Sequence, residues 1–124
     1  MPDGPIKSCR DLLVWQKGMQ AAVRVNRLTD DFPAKEQWSL INQMRRSGLS
    51  IPCNIAESWG RGSTGDYVRF LSIARGSLME LETQTIYAEM LGYLEEKTVD
   101  AFLGELAEIS KMLTALINKL KATS

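Results

Sequence analysis

None of the 124 residues is histidine. The candidate side chains for catalysis or ligand binding are therefore carboxylates and guanidinium groups. Without imidazole there is no histidine-activated nucleophile, no histidine metal ligand and no Glu-x-x-His pattern of the di-iron bundle enzymes. A metal site built from carboxylates alone would be unusual in a helical protein. An enzyme would depend on four candidates, namely Glu57, Glu80, Glu82 and Glu89. We predict instead a protein that is not an enzyme and that has no metal ion, cofactor or small-molecule substrate.

Arginine is concentrated in the middle of the sequence, where guanidinium groups could contact phosphates. Such contacts give binding whose log–log salt dependence has a slope of about −0.7 to −0.9 per phosphate. The candidates for nucleic-acid binding are Arg45, Arg46, Arg61, Arg69 and Arg75, with Lys17 and Arg24 as secondary candidates. Basic and acidic residues both total 15, however, so the chain has no net charge. A salt-bridged or solvated role for each arginine taken singly is the competing interpretation.

The segment from Gly60 to Gly65 reads GRGSTG, which is formally a G-x-G-x-x-G motif. As a dinucleotide signature it fails, because a helical pattern rather than a strand precedes it. Its glycines, Arg61, two hydroxyls and the free N–H groups of the next helix could still hold a phosphate. The alternative is a plain turn between helices, capped by a serine, with Glu57 and Arg61 paired four residues apart.

Turn signals divide the chain into four helical segments, and no alternation typical of strands is present. The turns fall at residues 29–33, 60–65 and 92–98. Short connections between long helical segments predict an all-α fold, an antiparallel up-and-down four-helix bundle that forms a single domain over residues 1–124. The second helix contains Pro52, so we expect it to bend there and resume. The predicted N-caps are Ser8, Ser63 or Thr64, and Thr98.

Two of the helices carry more apolar surface than one bundle core requires. On the first helix the core face is predicted to hold Leu12, Trp15, Met19, Ala22 and Val23. A second stripe on that helix, and another on the third, repeats about every 3.5 residues, as contact with a further helix requires. We therefore predict head-to-tail association into a ring-shaped homo-oligomer. The alternative is a broad core face with scattered apolar surface residues. The predicted interface residues are Val14, Gly18, Ala21, Val25, Val68, Met79, Ile86 and Met90.

A resemblance to a known family is carried by two stretches of the sequence. The block from Arg45 to Gln84, RRSGLSIPCNIAESWGRGSTGDYVRFLSIARGSLMELETQ, resembles the bacterial four-helix-bundle family of 23S ribosomal RNA intervening-sequence proteins. Residues 9–18, CRDLLVWQKG, are similar to that family's opening F-x-x-L-x-V-W-Q-x-A. The sequence departs from the family pattern at Cys9, Gly18 and Ser58, where phenylalanine, alanine and glycine are usual.

The resemblance implies an up-and-down bundle that assembles as a homopentameric ring. It also implies two functional settings. Members of the family are encoded inside insertions in large-subunit ribosomal RNA genes. Similar proteins are accessory subunits of diversity-generating retroelements, in which a basic ring surface engages reverse transcriptase and nucleic acid.

Together, the residues and the resemblance predict a non-enzymatic oligomeric scaffold, a pentamer, that binds structured RNA or a reverse-transcriptase-like partner through an arginine-rich ring surface. The alternative is a protein-binding adaptor that presents Trp38 or Trp59 to a partner helix and makes no contact with nucleic acid. The two cysteines, Cys9 and Cys53, and the lack of an apolar run of about twenty residues predict a reduced, cytoplasmic protein with no membrane segment.

Overall fold

The computed structural model describes residues 6–123, and within that range it consists of helices joined by short connections, with no strand. The predicted all-α fold with four long helices is confirmed. Short 3₁₀ turns at Cys9–Asp11 and Ala34–Glu36 and a π-helical turn at Gln37–Ile41 complete the described helical segments. The long helices are α1 (Leu13–Thr29), α2 (Asn42–Trp59), α3 (Thr64–Met90) and α4 (Glu96–Thr123).

The four helices pack in the order in which they occur along the chain. Helix α1 packs against α2, α2 against α3 and α3 against α4, and α4 returns to contact α1 more loosely. Because the connections at 60–63 and 91–95 are short, consecutive helices must run in opposite directions. This is the up-and-down arrangement that the sequence predicts.

The core between the helices is built from aliphatic and aromatic side chains contributed by all four of them. Val25, Met44, Leu81 and Leu113 have no exposed surface, and Phe102 is almost fully buried. Burial of one such side chain is worth about 1.5–3 kcal/mol relative to leaving it in water. The core is thus the main source of the stability that holds the surface residues in place.

The stripe of α1 that was predicted to contact a neighbouring copy lies instead in the chain's own core, so this prediction is wrong. Val14, Gly18, Ala21 and Val25 are all buried by the other helices of the same bundle. Two residues of the predicted core stripe face solvent instead: the exposed fractions of Met19 and Val23 are 37% and 46%. Of the other residues of that stripe, Ala22 is buried and Leu12 and Trp15 pack against the core, so the core face of α1 includes most of both stripes.

Close approach of α1 and α2 explains why the small residues of α1 are buried. A Cβ atom placed on Gly18 would lie 3.3 Å from Ile51 Cγ2 on α2. One placed on Gly48 of α2 would lie 3.2 Å from Val25 Cγ2 and 3.6 Å from the Cα atom of Ala22. The glycines thus face the opposing helix from both sides, and the close contact between α1 and α2 is made within the chain.

The extra apolar line predicted on α3 does lie at the surface. The exposed fractions of Met79, Ile86 and Met90 are 57%, 38% and 80%, whereas Val68 is half-buried against the core. At about 100° per residue, the three exposed side chains lie within about 40° of one another around the helix. We call Met79, Ile86 and Met90 the α3 stripe.

Local hydrogen bonds account for the helix starts and for the helix that contains proline. The Ser63 hydroxyl accepts from the Asp66 N–H at 3.2 Å, which confirms serine as the cap of α3. Ser8 caps the turn Cys9–Asp11 rather than α1, and α4 begins before Thr98, so those two predictions are wrong. Helix α2 continues through the buried Pro52, and the Asn54 amide donates to the Ser50 carbonyl at 2.8 Å.

A hydrogen-bonded pair joins the α1–α2 connection to the α3–α4 connection at one end of the bundle. The Tyr93 hydroxyl donates to the Glu36 carboxylate at 2.7 Å, and the Tyr93 ring packs 5.2 Å, centroid to centroid, from that of Phe32. Hydrogen bonds from Ser39 and Tyr93 lower the pKa of Glu36, and the bond to Glu36 raises the pKa of Tyr93. This pair couples the stability of the bundle to pH.

Replacing Tyr93 by phenylalanine is expected to remove part of the acid sensitivity of the fold. Because the pKa of Glu36 is lower in the folded state, its contribution to stability is present above the unfolded value of 4.5 and is lost as the pH falls through the folded pKa. Melting temperatures measured from pH 3 to pH 8 should therefore separate the wild type from Tyr93→Phe at neutral pH and converge in acid. A constant difference across that range would contradict the coupling.

Candidate nucleic-acid interface

The turn between α2 and α3 brings two of the predicted arginines onto one aromatic ring. The guanidinium carbons of Arg61 and Arg69 lie 4.4 Å and 4.5 Å from the centroid of the Phe70 ring. Arg61 also forms an ion pair with Glu57, and the Arg69 Nε atom lies 3.6 Å from Asp66 Oδ1. Each cation is therefore offset by an acid, and the Ser63 hydroxyl is used as a helix cap. A phosphate at this turn would have to compete with Glu57 and Asp66.

Arg45 holds the start of α2 against the end of α1. Its Nε donates to the Thr29 hydroxyl at 2.9 Å, and one terminal nitrogen donates to the Asn26 carbonyl at 3.3 Å and to Asp30 at 3.1 Å. Thr29 itself is buried and donates to the Val25 carbonyl at 2.8 Å. This network gives Arg45 a structural role, since its Nε and one of its terminal nitrogens already donate to groups within the chain.

Three further predicted cations are paired with groups on α4. Lys17 lies 3.0 Å from Glu108, and Arg24 lies 2.6 Å from Glu105, so both bridge α1 and α4. The Arg75 guanidinium donates to the Thr114 hydroxyl at 3.3 Å. These contacts lie at the bundle surface, where each is worth less than about 1 kcal/mol, and they position the cations more than they stabilise the fold.

Arg46 differs from the other six predicted cations. It is exposed on α2, and within residues 6–123 it makes no hydrogen bond or ion pair. Its guanidinium group therefore keeps all five donors available to a ligand. Of the arginines predicted to bind nucleic acid, Arg46 is the one whose guanidinium is not bonded to another group within residues 6–123.

Arg46 lies at the edge of a shallow polar groove between α2 and α3, with a volume of about 310 Å³. The Ser50 and Ser77 hydroxyls are 2.8 Å apart and join the two helices at one end of the groove. The Gln84 Oε1 atom is buried and has no hydrogen-bond partner among the described residues. The lining residues are Gln43, Arg46, Ser47, Ser50, Ser77, Glu80 and Gln84.

The sequence analysis did not identify this groove, although a signal for it was present. Gln43, Ser47, Ser50 and Asn54 are polar and follow one another at helical spacing along α2. A polar line of this kind beside a core face predicts a contact between helices that contains polar side chains and water. Which helix lies opposite that line is decided by the tertiary packing, so the groove could not be assembled from sequence alone.

The carboxylates considered for an enzyme do not converge on one site. Glu57 is paired with Arg61, Glu80 lines the groove, and Glu82 and Glu89 lie farther along α3. Within residues 6–123, no group of three or more Cys, Asp or Glu side chains is arranged to hold a metal ion. In the same range no helix is both long enough and apolar enough to cross a lipid bilayer.

Trp38 is the most exposed large apolar residue of the described chain, at 86%. It lies in the π-helical turn Gln37–Ile41, whose geometry brings Leu40 rather than Trp38 into the core. Its indole borders a cleft of about 410 Å³ that also includes Phe32, Ile41 and Arg45. Trp59, at the end of α2, is 37% exposed. Of the two tryptophans named for the adaptor function, Trp38 is therefore the more exposed.

Comparisons with known proteins agree with this architecture. The sequence model of the family described as 23S rRNA-intervening sequence protein matches residues 10–115. A crystal structure from Bacteroides thetaiotaomicron, described as a protein with unknown function from the S23 ribosomal protein family, is similar with a TM-score of 0.79 and 26% sequence identity. That likeness covers 86% of this chain and 96% of the other. No curated protein matches the sequence.

Proposed function

This chain belongs to the 23S rRNA-intervening sequence protein family, and on that premise we propose that it is a cytoplasmic, non-enzymatic scaffold that assembles with copies of itself. The assembly is a ring of five subunits. It binds structured RNA, or a nucleic-acid-processing partner such as a reverse transcriptase, through arginines that recur around the ring. The observation that carries the proposal is the exposed α3 stripe, because a single bundle leaves these side chains in water.

A head-to-tail contact requires two different apolar surfaces on the same molecule. The α3 stripe is one of them. The second surface is provided by Met19 and Val23, which lie four residues apart on α1. These two residues take the place of the α1 interface residues predicted from the sequence, which are buried. Apolar surface on α1 of one copy can then cover the α3 stripe of the next, and repetition of this contact around a rotation axis closes a ring.

A ring also answers the objection that the chain has no net charge. The Arg46 guanidinium, which makes no hydrogen bond or ion pair within residues 6–123, is present five times on a closed assembly. Several weak phosphate contacts made at once give a higher effective affinity than any one of them. The paired arginines, Arg61 and Arg69 among them, contribute wherever a phosphate displaces the acid beside them.

Filter binding to a structured RNA over a series of salt concentrations tests the proposal. We expect a log–log slope of about −3 or steeper, because several subunits contact phosphates together. Arg46→Gln should make the slope shallower, whereas the control Arg24→Gln should change it less, because Arg24 already pairs with Glu105. Absent binding, or binding that salt does not weaken, would rule out the nucleic-acid part of the proposal.

The protein-binding adaptor is the second candidate function, and the exposure of Trp38 favours it. An exposed tryptophan beside a cleft is typical of the residues that dominate protein interfaces. Capture of partners from nuclease-treated lysate separates the two functions, because protein partners survive the nuclease and RNA-bridged ones do not. If the adaptor function holds, Trp38→Ala should abolish the nuclease-resistant capture and Arg46→Gln should leave it intact.

A further inference from the structure

The polar groove between α2 and α3 has walls of opposite hydrogen-bonding character. Arg46, on the α2 wall, offers only donors, and no hydrogen bond or ion pair within the described chain uses them. On the α3 wall, Glu80 offers carboxylate oxygens and Gln84 offers the buried Oε1 atom that lacks a donor. The groove therefore presents unused donors on one side and unused acceptors on the other.

Antiparallel packing places these groups across from one another. The hydrogen bond between Ser50 and Ser77 fixes the register of the two helices. One turn further along, the register sets Ser47 of α2 against Glu80 of α3, and another turn sets Gln43 against Gln84. Arg46 lies on the same stretch of α2, yet no ion pair joins it to Glu80. A flat group inserted between the helices would meet both walls at once.

Two simpler ligands do not suit this chemistry. A free phosphate would meet the Glu80 carboxylate as well as Arg46, and like charges repel in a partly enclosed site. A divalent cation would find one carboxylate and a nearby guanidinium, and no cluster of three acidic or thiol side chains exists within residues 6–123. The groove is instead complementary to a neutral, planar ligand that has acceptor atoms on one edge and N–H donors on the adjacent edge.

We propose that the groove binds an unpaired guanine base, with Arg46 donating to its O6 and N7 atoms and with Glu80 and Gln84 Oε1 accepting from its N1–H and N2 amino groups. Arginine recognises the O6 and N7 acceptors of guanine as a bidentate donor. Proteins read RNA sequence mostly at unpaired bases, through their Watson–Crick and Hoogsteen edges. The proposal rests on the proposed function, because it identifies which part of a structured RNA would enter the groove.

The groove also has enough volume for a single base. Its volume of about 310 Å³ lies at the lower end of the range for small-molecule sites. Ser47, Ser50 and Ser77 also line the groove, and their hydroxyls can bond to a ribose or to water. Gln84 Oε1 is buried without a donor among the described residues, and rotation of this side chain toward the groove would let the oxygen accept from a ligand N–H.

Fluorescence anisotropy with a short, unstructured RNA that carries guanosine, inosine or 7-deazaguanosine at one position tests each contact separately. Inosine lacks the N2 amino group, and 7-deazaguanosine lacks the N7 acceptor. We expect the wild type to bind the guanosine RNA about tenfold more tightly than either analogue. Arg46→Met should abolish the preference over 7-deazaguanosine and keep the preference over inosine. Gln84→Met should abolish the preference over inosine and keep the preference over 7-deazaguanosine.

Both variants suit the test because neither removes a contact that the fold uses. Arg46 is exposed and unpaired, and Gln84→Met replaces a buried acceptor that has no partner. Arg27→Met, an exposed change of the same charge on α1, is the matched control, and it should keep both preferences. Equal affinity of the wild type for all three RNAs would overturn the proposal, as would an equal loss of preference in the control.

A second arm of the experiment separates this proposal from the proposed function. Guanosine 5′-monophosphate is titrated against the wild type and the Arg46→Met variant by saturation-transfer NMR, which requires neither RNA nor assembly. Binding of the nucleotide without binding of RNA would refute the proposed function and keep the groove as a guanine site. Salt-dependent RNA binding with no preference for guanosine would refute the guanine site and keep the proposed function.

Discussion

Replacing Met79 and Met90 by glutamate is expected to convert the proposed ring into single chains of 13.9 kDa. Both side chains are more than half exposed in the bundle, at 57% and 80%, so neither holds the chain's own core together. In a ring they would be covered by the next copy, where each apolar side chain contributes about 1.5–3 kcal/mol. Losing two of them and burying two carboxylates without partners should weaken each contact by at least about a hundredfold.

Sedimentation velocity measures this effect directly. Five copies of a 13.9 kDa chain give a particle of about 70 kDa, well separated from a monomer. Ile73→Glu is the matched control, because Ile73 is 41% exposed on the same helix but lies about 120° around from Met79. The control should keep the large particle, and circular dichroism should show full helicity in both variants. A wild type that sediments as a single 13.9 kDa species would refute the ring itself.

Replacing Gly48 by valine is expected to destabilise the bundle by about 2–3 kcal/mol. A Cβ atom at this position already lies 3.2 Å from Val25 Cγ2 and 3.6 Å from the backbone of Ala22, and two further methyl groups would have nowhere to go. Overpacking of this kind costs about 1–3 kcal/mol, and here it forces apart two helices whose contact defines the core. The gain in helix propensity over glycine is about half a kcal/mol and does not offset this cost.

Thermal denaturation at one protein concentration tests this prediction. A loss of about 2–3 kcal/mol should lower the melting temperature by roughly 8–12 °C for a chain of this size. Gly104→Val, in the middle of α4, is the matched control, because a Cβ atom there meets nothing within 4 Å. It should melt at or slightly above the wild-type temperature. Equal melting temperatures for the two variants would mean that α1 and α2 are not held in close contact at Gly48.

The helices themselves could be predicted from the sequence because their signals are local. The turns at 29–33, 60–65 and 92–98 contain the residues that end helices, and the long periodic segments between them require no distant partner. The serine cap of α3 was predictable for the same reason, since Ser63 bonds to an N–H only three residues away. The exposure of Trp38 could not be predicted in this way, because a π-helical turn rotates the start of the second helix relative to the regular period.

The candidate site was predictable only as a set of residue types. The sequence places five arginines between positions 45 and 75, but it does not tell which of them find acids nearby. Arg45 is used by residues of α1, and Arg75 by Thr114 of α4, and both partners are distant in sequence. Arg46 is left free because no acid of the described chain lies within ion-pair distance of it. Sequence spacing alone cannot distinguish these outcomes.

Periodicity therefore determined that this chain folds into four amphipathic helices, and the absence of histidine excluded chemistry that needs an imidazole of this chain. Tertiary structure decided which face of each helix points inward. On α1 two stripes had similar hydrophobicity, and the stripe that contains Gly18 and Ala21 is buried, whereas Met19 and Val23 of the other stripe are exposed, because small side chains let α2 approach closely. The close approach depends on α1 and α2 together, so it cannot be predicted from the residue pattern of either helix alone.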